Sequence, residues 1–369
     1  MKTNYSDLHI ALVGPLPPPA GGMATQLAQL KGLLEKEGAQ VTVIQVNAPY
    51  RPHWAGKLPV VRAAFRLLPY LANLWRQVKK VDCVHILANS GWSWHLFATP
   101  AVWIAHLRGK PVIVNYRGGE AKVFFERSFR WVSPTLKRAD LITVPSKFLE
   151  HIFKEFGVTT TIVPNIIDLN RFRPEAKDPS NETTDPPVIV VTRNLEPIYD
   201  IGTAIEAFAQ SQKTLPTGAK LVIAGSGPEH DALTAKVDQL GLSKNVSFTG
   251  RLNREEMAEL YQRADLMVNP SLADNMPNSV LEALASKVPV VTTDVGGIPF
   301  LVEHEQTALL VKPADPVAMA EAIQRVFNEP VLQSHLKEQG FAYVSQFVWT
   351  EIKKTLLTTY IEVLDAKRR

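Results

Sequence analysis

Leu266–Gly297 reads LMVNPSLADNMPNSVLEALASKVPVVTTDVGG, and this stretch decides the fold class. Leu266–Asn269 is a short apolar run of strand type, and Pro270–Pro277 carries the turn chemistry of a loop. Pro277 suits the first position of a helix running to about Ser286. Val288–Thr293 is a second β-branched run, stopped by Gly296 and Gly297. The unit is βαβ, so its strands are expected to be parallel. Ligands of open α/β sheets bind beyond the carboxyl ends of such strands.

Two carboxylates stand in this unit, Asp274 in the loop and Glu282 in the first turns of the helix. Val280, Leu281 and Leu284 share one helical face, and Glu282 points away from it, to water or to a cleft. A solvated surface glutamate is the plain alternative. The helix start nearby favours a ligand, because its free N–H groups and positive dipole end attract an anion. A phosphate carrying a hydroxylated sugar would use both features.

Moving outward, the 369 residues call for two domains rather than one core. The chain is 46% hydrophobic and 21% charged, a globular balance. Its one cysteine, Cys83, excludes an intramolecular disulfide and fits a reducing cytoplasm. Ile10–Leu16 contains Gly14 and Pro15 and reads as a first strand, not a signal peptide. No uncharged apolar run reaches the roughly 18 residues of a membrane span. The expectation is a cytoplasmic protein, with or without peripheral attachment to the inner face of a membrane.

The net charge of +4 is unevenly spread: residues 1–172 hold 21 Lys and Arg against 10 Asp and Glu, residues 173–369 hold 19 against 26. Between Gly38 and Val81 there is no acidic residue, and Arg51, Lys57, Arg62, Arg66, Arg76, Lys79 and Lys80 alternate with aromatics such as Trp54, Phe65, Tyr70 and Trp75. That composition suits an anionic membrane surface. It equally suits an ordinary helix, about 59–80, with cations in water. No recognition motif points to nucleic acid.

Strand–helix alternation runs along the whole chain. Expected helices include 26–36, 99–108, 133–138, 148–156, 202–211, 230–240, 255–263, 316–328 and 349–367, with 340–348 irregular. Gly21 and Gly22 sit where the first loop meets the first helix, a place where backbone can approach a phosphate or simply turn. The polar, proline-rich 171–187 is the clearest linker. Two Rossmann-like, doubly wound parallel sheets follow, expected to face each other across a cleft.

With these motifs in place, the chain resembles the retaining nucleotide-sugar glycosyltransferases of family four, which have the GT-B fold. That family carries an E-x7-E motif followed by a Gly-Gly loop, matched here by Asp274-x7-Glu282 and Gly296-Gly297. Further matches are RNL at Arg193, AGSGPE at Ala224–Glu229, VSFTGRL at Val246–Leu252 and VPNIIDLNRF at Val163–Phe172. The resemblance implies an acceptor domain over 1–172, a linker over 173–187, a donor domain over 188–348, and a C-terminal helix over 349–369 that crosses back. It implies that Glu282 binds the ribose, Asp274 meets the donor sugar, and Arg193 binds phosphate. Asn278, Ser279 and Val280 would offer N–H groups to the diphosphate, with Gly22 on its other side. Gly225, Gly227 and Met276 join the donor-binding set, and Arg251 and Leu252 border the base pocket. His85, Tyr116 and Gly118 are acceptor-side candidates, though His85 could equally be hydrogen-bonded in place. No metal or other cofactor is implied, and no tight His/Cys/Asp cluster of ligand type stands in the sequence.

Two departures from the family pattern matter. Where relatives have RLxxxKG with a phosphate-binding lysine, this chain has RNLEPIYD, with Ile198 and Tyr199 in that region. Where many have a histidine near the acceptor, this chain has Tyr116-Arg117-Gly118-Gly119, which makes Arg117 a candidate second cation. The implied function is transfer of a sugar from a nucleotide to a glycan or lipid-linked acceptor, in cell-surface or exopolysaccharide synthesis. A sugar-nucleotide epimerase on the same fold and a non-catalytic nucleotide-sugar-binding protein are the alternatives.

Overall fold

The computed structural model describes residues 4–18, 21–49, 61–174 and 186–367. Most of the linker stretch falls at 175–185, outside the described residues, as do Arg51, Trp54 and Lys57 and the side chain of Arg62. The chain forms two compact units, 1–166 with 349–369, and 167–348. Each is an α/β layer structure around a six-stranded parallel sheet.

The first unit runs β1 (His9–Gly14), α1 (Gly22–Lys36), β2 (Gln40–Gln45), α2 (Val61–Val78), β3 (Cys83–Ala88), α3 (Thr99–Leu107), β4 (Val112–Tyr116), α4 (Ala121–Leu136), β5 (Leu141–Val144), α5 (Lys147–Glu155) and β6 (Thr161–Ile162). The sheet order is β2-β1-β3-β4-β5-β6. Reversal of direction after β2, with right-handed crossovers, puts α1 on one face and α2 to α5 on the other. The inner strands β3 and β4 are buried along their whole length, which is why they read as continuous apolar runs.

The second unit contains β7 (Val188–Val191), α6 (Ile201–Ser211), β8 (Lys220–Ala224), α7 (His230–Gln239), β9 (Val246–Gly250), α8 (Arg254–Arg263), β10 (Leu266–Asn269), α9 (Asn278–Ala285), β11 (Val290–Thr293), β12 (Leu309–Val311), α10 (Pro316–Asn328) and α11 (Pro330–Val344). Its order, β12-β11-β10-β7-β8-β9, places β7 and β10 side by side at the centre. The loops that follow these two strands therefore emerge together.

The last helix, α12 (Trp349–Ala366), belongs to the first unit. The Trp349 indole and the Lys353 ammonium both donate to the Glu37 carboxylate at the end of α1, at 2.9 and 3.0 Å. Tyr360 is fully buried, with its hydroxyl 2.7 Å from His85 Nδ1.

Several expected elements are corrected. The first helix begins at Gly22, four residues early, with Gly21 as its extended N-cap. The helix expected at 133–138 is the end of α4, which starts at Ala121 and carries Pro134 inside it. The stretch expected to be irregular from residue 340 is helical to Val344. Gly340 reads as a breaker in sequence, but it marks a close helix crossing: a Cβ there would lie 2.6 Å from Leu284 Cδ2 on α9.

On the helical face of the first unit, α2, α3 and α4 lie side by side, and their outer surface mixes tryptophan with arginine. The Arg108 guanidinium stacks 3.6 Å from the Trp75 ring, and that of Arg138 lies 3.7 Å from Trp103. Leu68 and Trp131 are each 65% exposed, and Leu107 is 70% exposed. Buried Tyr70, Leu74 and Val78 fasten α2 to the core. Its helix therefore serves the core with one side and presents Leu68 and Trp75 on the other.

Candidate functional site

In the second unit, the loops after β7 and β10 and the start of α9 bring the expected donor-side residues together. Arg193 follows β7, and its Nη2 donates to Asp274 Oδ2 at 2.6 Å. Its Nη1 lies 3.4 Å from Ser279 Oγ in the first turn of α9. The pair is mostly shielded, with 11% and 13% of the two side chains exposed. Such a pair costs several kcal/mol to desolvate, so its value lies in fixed geometry more than in stability.

Asp274 accepts two further bonds, from Ser271 Oγ at 3.4 Å and from the Asn275 N–H at 3.0 Å. The Gly-Gly loop is clasped against the same segment. A Cβ on Gly296 would sit 2.2 Å from the Asp274 carbonyl oxygen, and one on Gly297 would sit 2.0 Å from that of Asn275. The Gly297 N–H donates to the Asp274 carbonyl at 2.9 Å. Glycine is demanded here by backbone meeting backbone.

Gly225 and Gly227 work the same way. A Cβ on Gly225 would fall 2.0 Å from the Arg193 carbonyl oxygen, and one on Gly227 2.2 Å from that of Leu195. Both glycines let the loop after β8 press on the loop that carries Arg193. Arg251 extends from the end of β9 to the same place, its Nε donating to Ser226 Oγ at 2.6 Å, with Leu252 half-buried beside it.

Glu282 sits one turn into α9 and is half-buried. Burial pushes its carboxyl up to about 7, against the pull of Arg254, Arg193 and Arg171. Arg254 opens α8, and its Nε is buried without a hydrogen-bond partner. Burial lowers the Arg254 pKa, with Arg171 adding to the effect and Glu282, Asp168 and Glu255 opposing it. Arg171 also pairs with Glu255 at 3.1 Å. A carboxylate facing arginines, with one guanidinium nitrogen unpartnered, is equipped to hold a polar, anionic ligand.

Val280 and Met276 are buried, so Val280 contributes to a ligand only through its backbone. Asn278, Ser279 and Val280 are the first residues of α9, whose N–H groups precede the first intrahelical acceptors.

Sequence reasoning missed Tyr261, Arg254 and the role of Tyr199. Tyr261 is fully buried, with its hydroxyl 2.6 Å from Thr192 Oγ1 and donating to the Ser279 carbonyl at 3.0 Å. It ties the end of β7 to the first turn of α9. Its place in α8 reads as plain helix, so no sequence signal marked it. Tyr199 lies beneath Arg193, the guanidinium carbon 4.0 Å from the ring centroid.

The remaining candidates lie in the first unit. Gly22 opens α1. His85 and Tyr116 are corrected: neither side chain reaches solvent, so both belong to the core and not to an acceptor surface. His85 stands inside β3, bonded to Tyr360 through Nδ1 and 3.1 Å from Asn115 Nδ2 through Nε2. Burial first, then the nearby Arg117, pushes its imidazole down to about 3. Tyr116 packs edge-on to Phe153, with its hydroxyl 2.8 Å from Ser90 Oγ. Gly118 meets the loop after β3, where a Cβ would lie 2.3 Å from Ser90 Oγ. Arg117 is half-buried, its Nη1 donating to Asn165 Oδ1 at 2.5 Å and its Nε unpartnered, and burial lowers its guanidinium to about 10.

Comparison with known proteins fits this geometry. A family model described as Glycosyltransferase Family 4 matches residues 20–171, and one described as Glycosyl transferases group 1 matches 172–342. The chain is 27% identical over 291 residues to the glycogen synthase of Mycobacterium tuberculosis, covering 74% of this chain and 68% of that protein. It is 30% identical over 259 residues to an exopolysaccharide phosphotransferase of Streptomyces coelicolor, covering 69% of this chain but 26% of that protein. Among solved structures, Anabaena HepE in complex with UDP and glucose superimposes with a TM-score of 0.74 at 19% identity, over 96% of this chain and all of that one, a likeness of fold. Two adjoining family matches, laid on two six-stranded parallel sheets, make the chain a member of the glycosyl transferases group 1, of family four type with GT-B architecture, and an enzyme of glycosyl transfer.

Proposed function

We propose that the chain is a retaining glycosyltransferase that takes its sugar from a nucleotide-sugar and passes it to a glycan or lipid-linked acceptor in cell-surface or exopolysaccharide synthesis. The observation that carries this reading is the juxtaposition within the second unit of a desolvated carboxylate, Glu282, and an Arg193–Asp274 pair at the start of α9. Glu282 would accept hydrogen bonds from the ribose hydroxyls. Arg193 and the helix start would take the diphosphate, where negative charge grows as the sugar leaves. The Anabaena protein bound to UDP and glucose and the Streptomyces protein named for exopolysaccharide support the donor and the pathway class.

In the reaction we infer, the bond from the anomeric carbon to the phosphate oxygen breaks while the acceptor hydroxyl oxygen bonds to the same face of that carbon. The hydroxyl proton passes to the departing phosphate. Asp274, one methylene shorter than the family's glutamate, is already committed to Arg193, so its main service is to aim that guanidinium. Arginine and helix N–H groups supply the countercharge, so chelation by EDTA should leave turnover unchanged.

The outer face of α2, α3 and α4 is the part of the molecule we assign to a membrane surface. Arginine heads paired with tryptophan rings suit anionic headgroups above an acyl boundary. No helix among the described residues is long and apolar enough to cross a membrane, so attachment would be peripheral.

Incubation with UDP-, GDP- and ADP-sugars, with and without membrane lipid extract, tests the whole reading. Nucleoside diphosphate should appear in step with a glycosylated lipid or glycan that keeps the donor's anomeric configuration. Release without any acceptor product, or a product of inverted configuration, would overturn it. Sugar isomerisation without release would favour the epimerase alternative. Co-sedimentation with phosphatidylglycerol vesicles but not with phosphatidylcholine vesicles, lost in a Trp75→Ala/Arg108→Ala variant, checks the membrane face.

A further inference from the structure

Arg193 is held from three directions, and the third has no place in the reading so far. Asp274 and Ser279 meet its two terminal nitrogens, while the Tyr199 ring lies under the guanidinium, its centroid 4.0 Å from the guanidinium carbon. Tyr199 ends the 3-10 turn Pro197–Tyr199 and packs on the hydrophobic core of the second unit. The turn is fastened on both sides. The Leu272 N–H donates to the Ile198 carbonyl at 2.9 Å, joining it to the loop that carries Asp274. After it, Asp200 adopts a left-handed conformation with φ of 42° and accepts from Thr203 Oγ1 at 2.6 Å.

The ring is thus locked while the hydroxyl is not. Tyr199 is half-buried, and its O–H bonds none of the described residues. Burial is the largest influence on this phenol and raises its pKa, so it keeps its proton at neutral pH. A phenol that remains protonated beside an arginine is a hydrogen-bond donor to whatever anion that arginine binds. The RNLEPIYD string thus sets a neutral donor beside Arg193.

We propose that Tyr199 binds the donor phosphate: its ring keeps Arg193 aimed, and its hydroxyl gives the leaving phosphate a second, uncharged hydrogen bond. This rests on the nucleotide-sugar reading above.

The test is calorimetric binding of UDP, GDP and ADP, each beside its nucleoside, to the full chain and to three variants. Tyr199→Phe keeps the ring and removes the hydroxyl, Tyr199→Leu removes both, and Tyr199→Lys introduces a cation. For whichever diphosphate binds the wild type, Tyr199→Phe should weaken it about tenfold, the loss of one hydrogen bond to a charged group. Tyr199→Leu should weaken it further, and Tyr199→Lys should tighten it while slowing turnover. Nucleoside affinity should stay constant throughout. The proposal is overturned if Tyr199→Phe and Tyr199→Leu bind the diphosphate as the wild type does. Equal loss of nucleoside and diphosphate affinity would show a merely structural role and overturn it too. Failure of the wild type to bind any of the three diphosphates would instead overturn the nucleotide reading beneath it.

Discussion

At Glu282 the proposed ribose contact should depend on pH. Its carboxyl is raised to about 7, so near neutrality it is divided between an acid and a carboxylate. Ribose hydroxyls donate best to the carboxylate. Binding of the nucleotide should therefore strengthen about tenfold between roughly pH 6 and pH 8, as the ionised fraction rises from about a tenth to about nine tenths. Glu282→Gln should flatten that profile; an unchanged profile in calorimetry would remove Glu282 from the ribose. The carboxylate and its direction away from the packing face were legible from helical periodicity alone. Its arginine neighbours were not. Arg254 lies 28 positions upstream in a helix whose sequence reads as an ordinary charged surface, and only the packing of α8 beside α9 turns it inward.

At the scale of elements, the site depends on loops pressed together at glycines. The loops after β7 and β8 touch through Gly225 and Gly227, and the Asp274 loop touches the Gly-Gly turn. Gly225→Ala should displace the Arg193 carbonyl, destabilise the second unit by about 1–3 kcal/mol and lower transfer sharply. Gly32→Ala is the control, because it lies inside α1 and a Cβ there would meet nothing within 4 Å. Thermal unfolding and initial rates distinguish the two; equal effects would refute the argument. The alternation of strands and helices and the βαβ unit were readable because buried parallel strands are runs of β-branched residues. Helix ends were less so. Pro134 inside α4 and Gly340 inside α11 are breakers by local chemistry, and both were overruled by tertiary packing.

At the scale of the molecule, the two units answer acid in opposite ways. The folded second unit holds the Glu282 proton more tightly than an unfolded chain, whose ordinary value is 4.5. Its contribution to stability is fully present below about 4.5 and lost as pH rises toward 7. The first unit does the reverse. His85 is held near 3 against an ordinary 6.5, so its contribution is full above 6.5 and fades as pH falls toward 3. Between about pH 4.5 and 6.5, acidification should loosen the first unit and tighten the second. Hydrogen exchange resolved by segment should show it, with His85→Gln flattening one response and Glu282→Gln the other. Parallel responses in both units would contradict the assignment.

The chain leaves the first unit at Ile166 and re-enters it at Trp349. The segment in between closes on itself, since the Ile167 N–H donates to the Phe347 carbonyl at 2.9 Å. During synthesis this gives an order of events that sequence position alone would invert. The second unit has every residue it needs by Val348, whereas the sheet made first must wait for Tyr360 to reach His85 and for Trp349 and Lys353 to reach Glu37. The unit that is born first is finished last, and until Tyr360 is made its His85 has Asn115 at Nε2 but no partner at Nδ1.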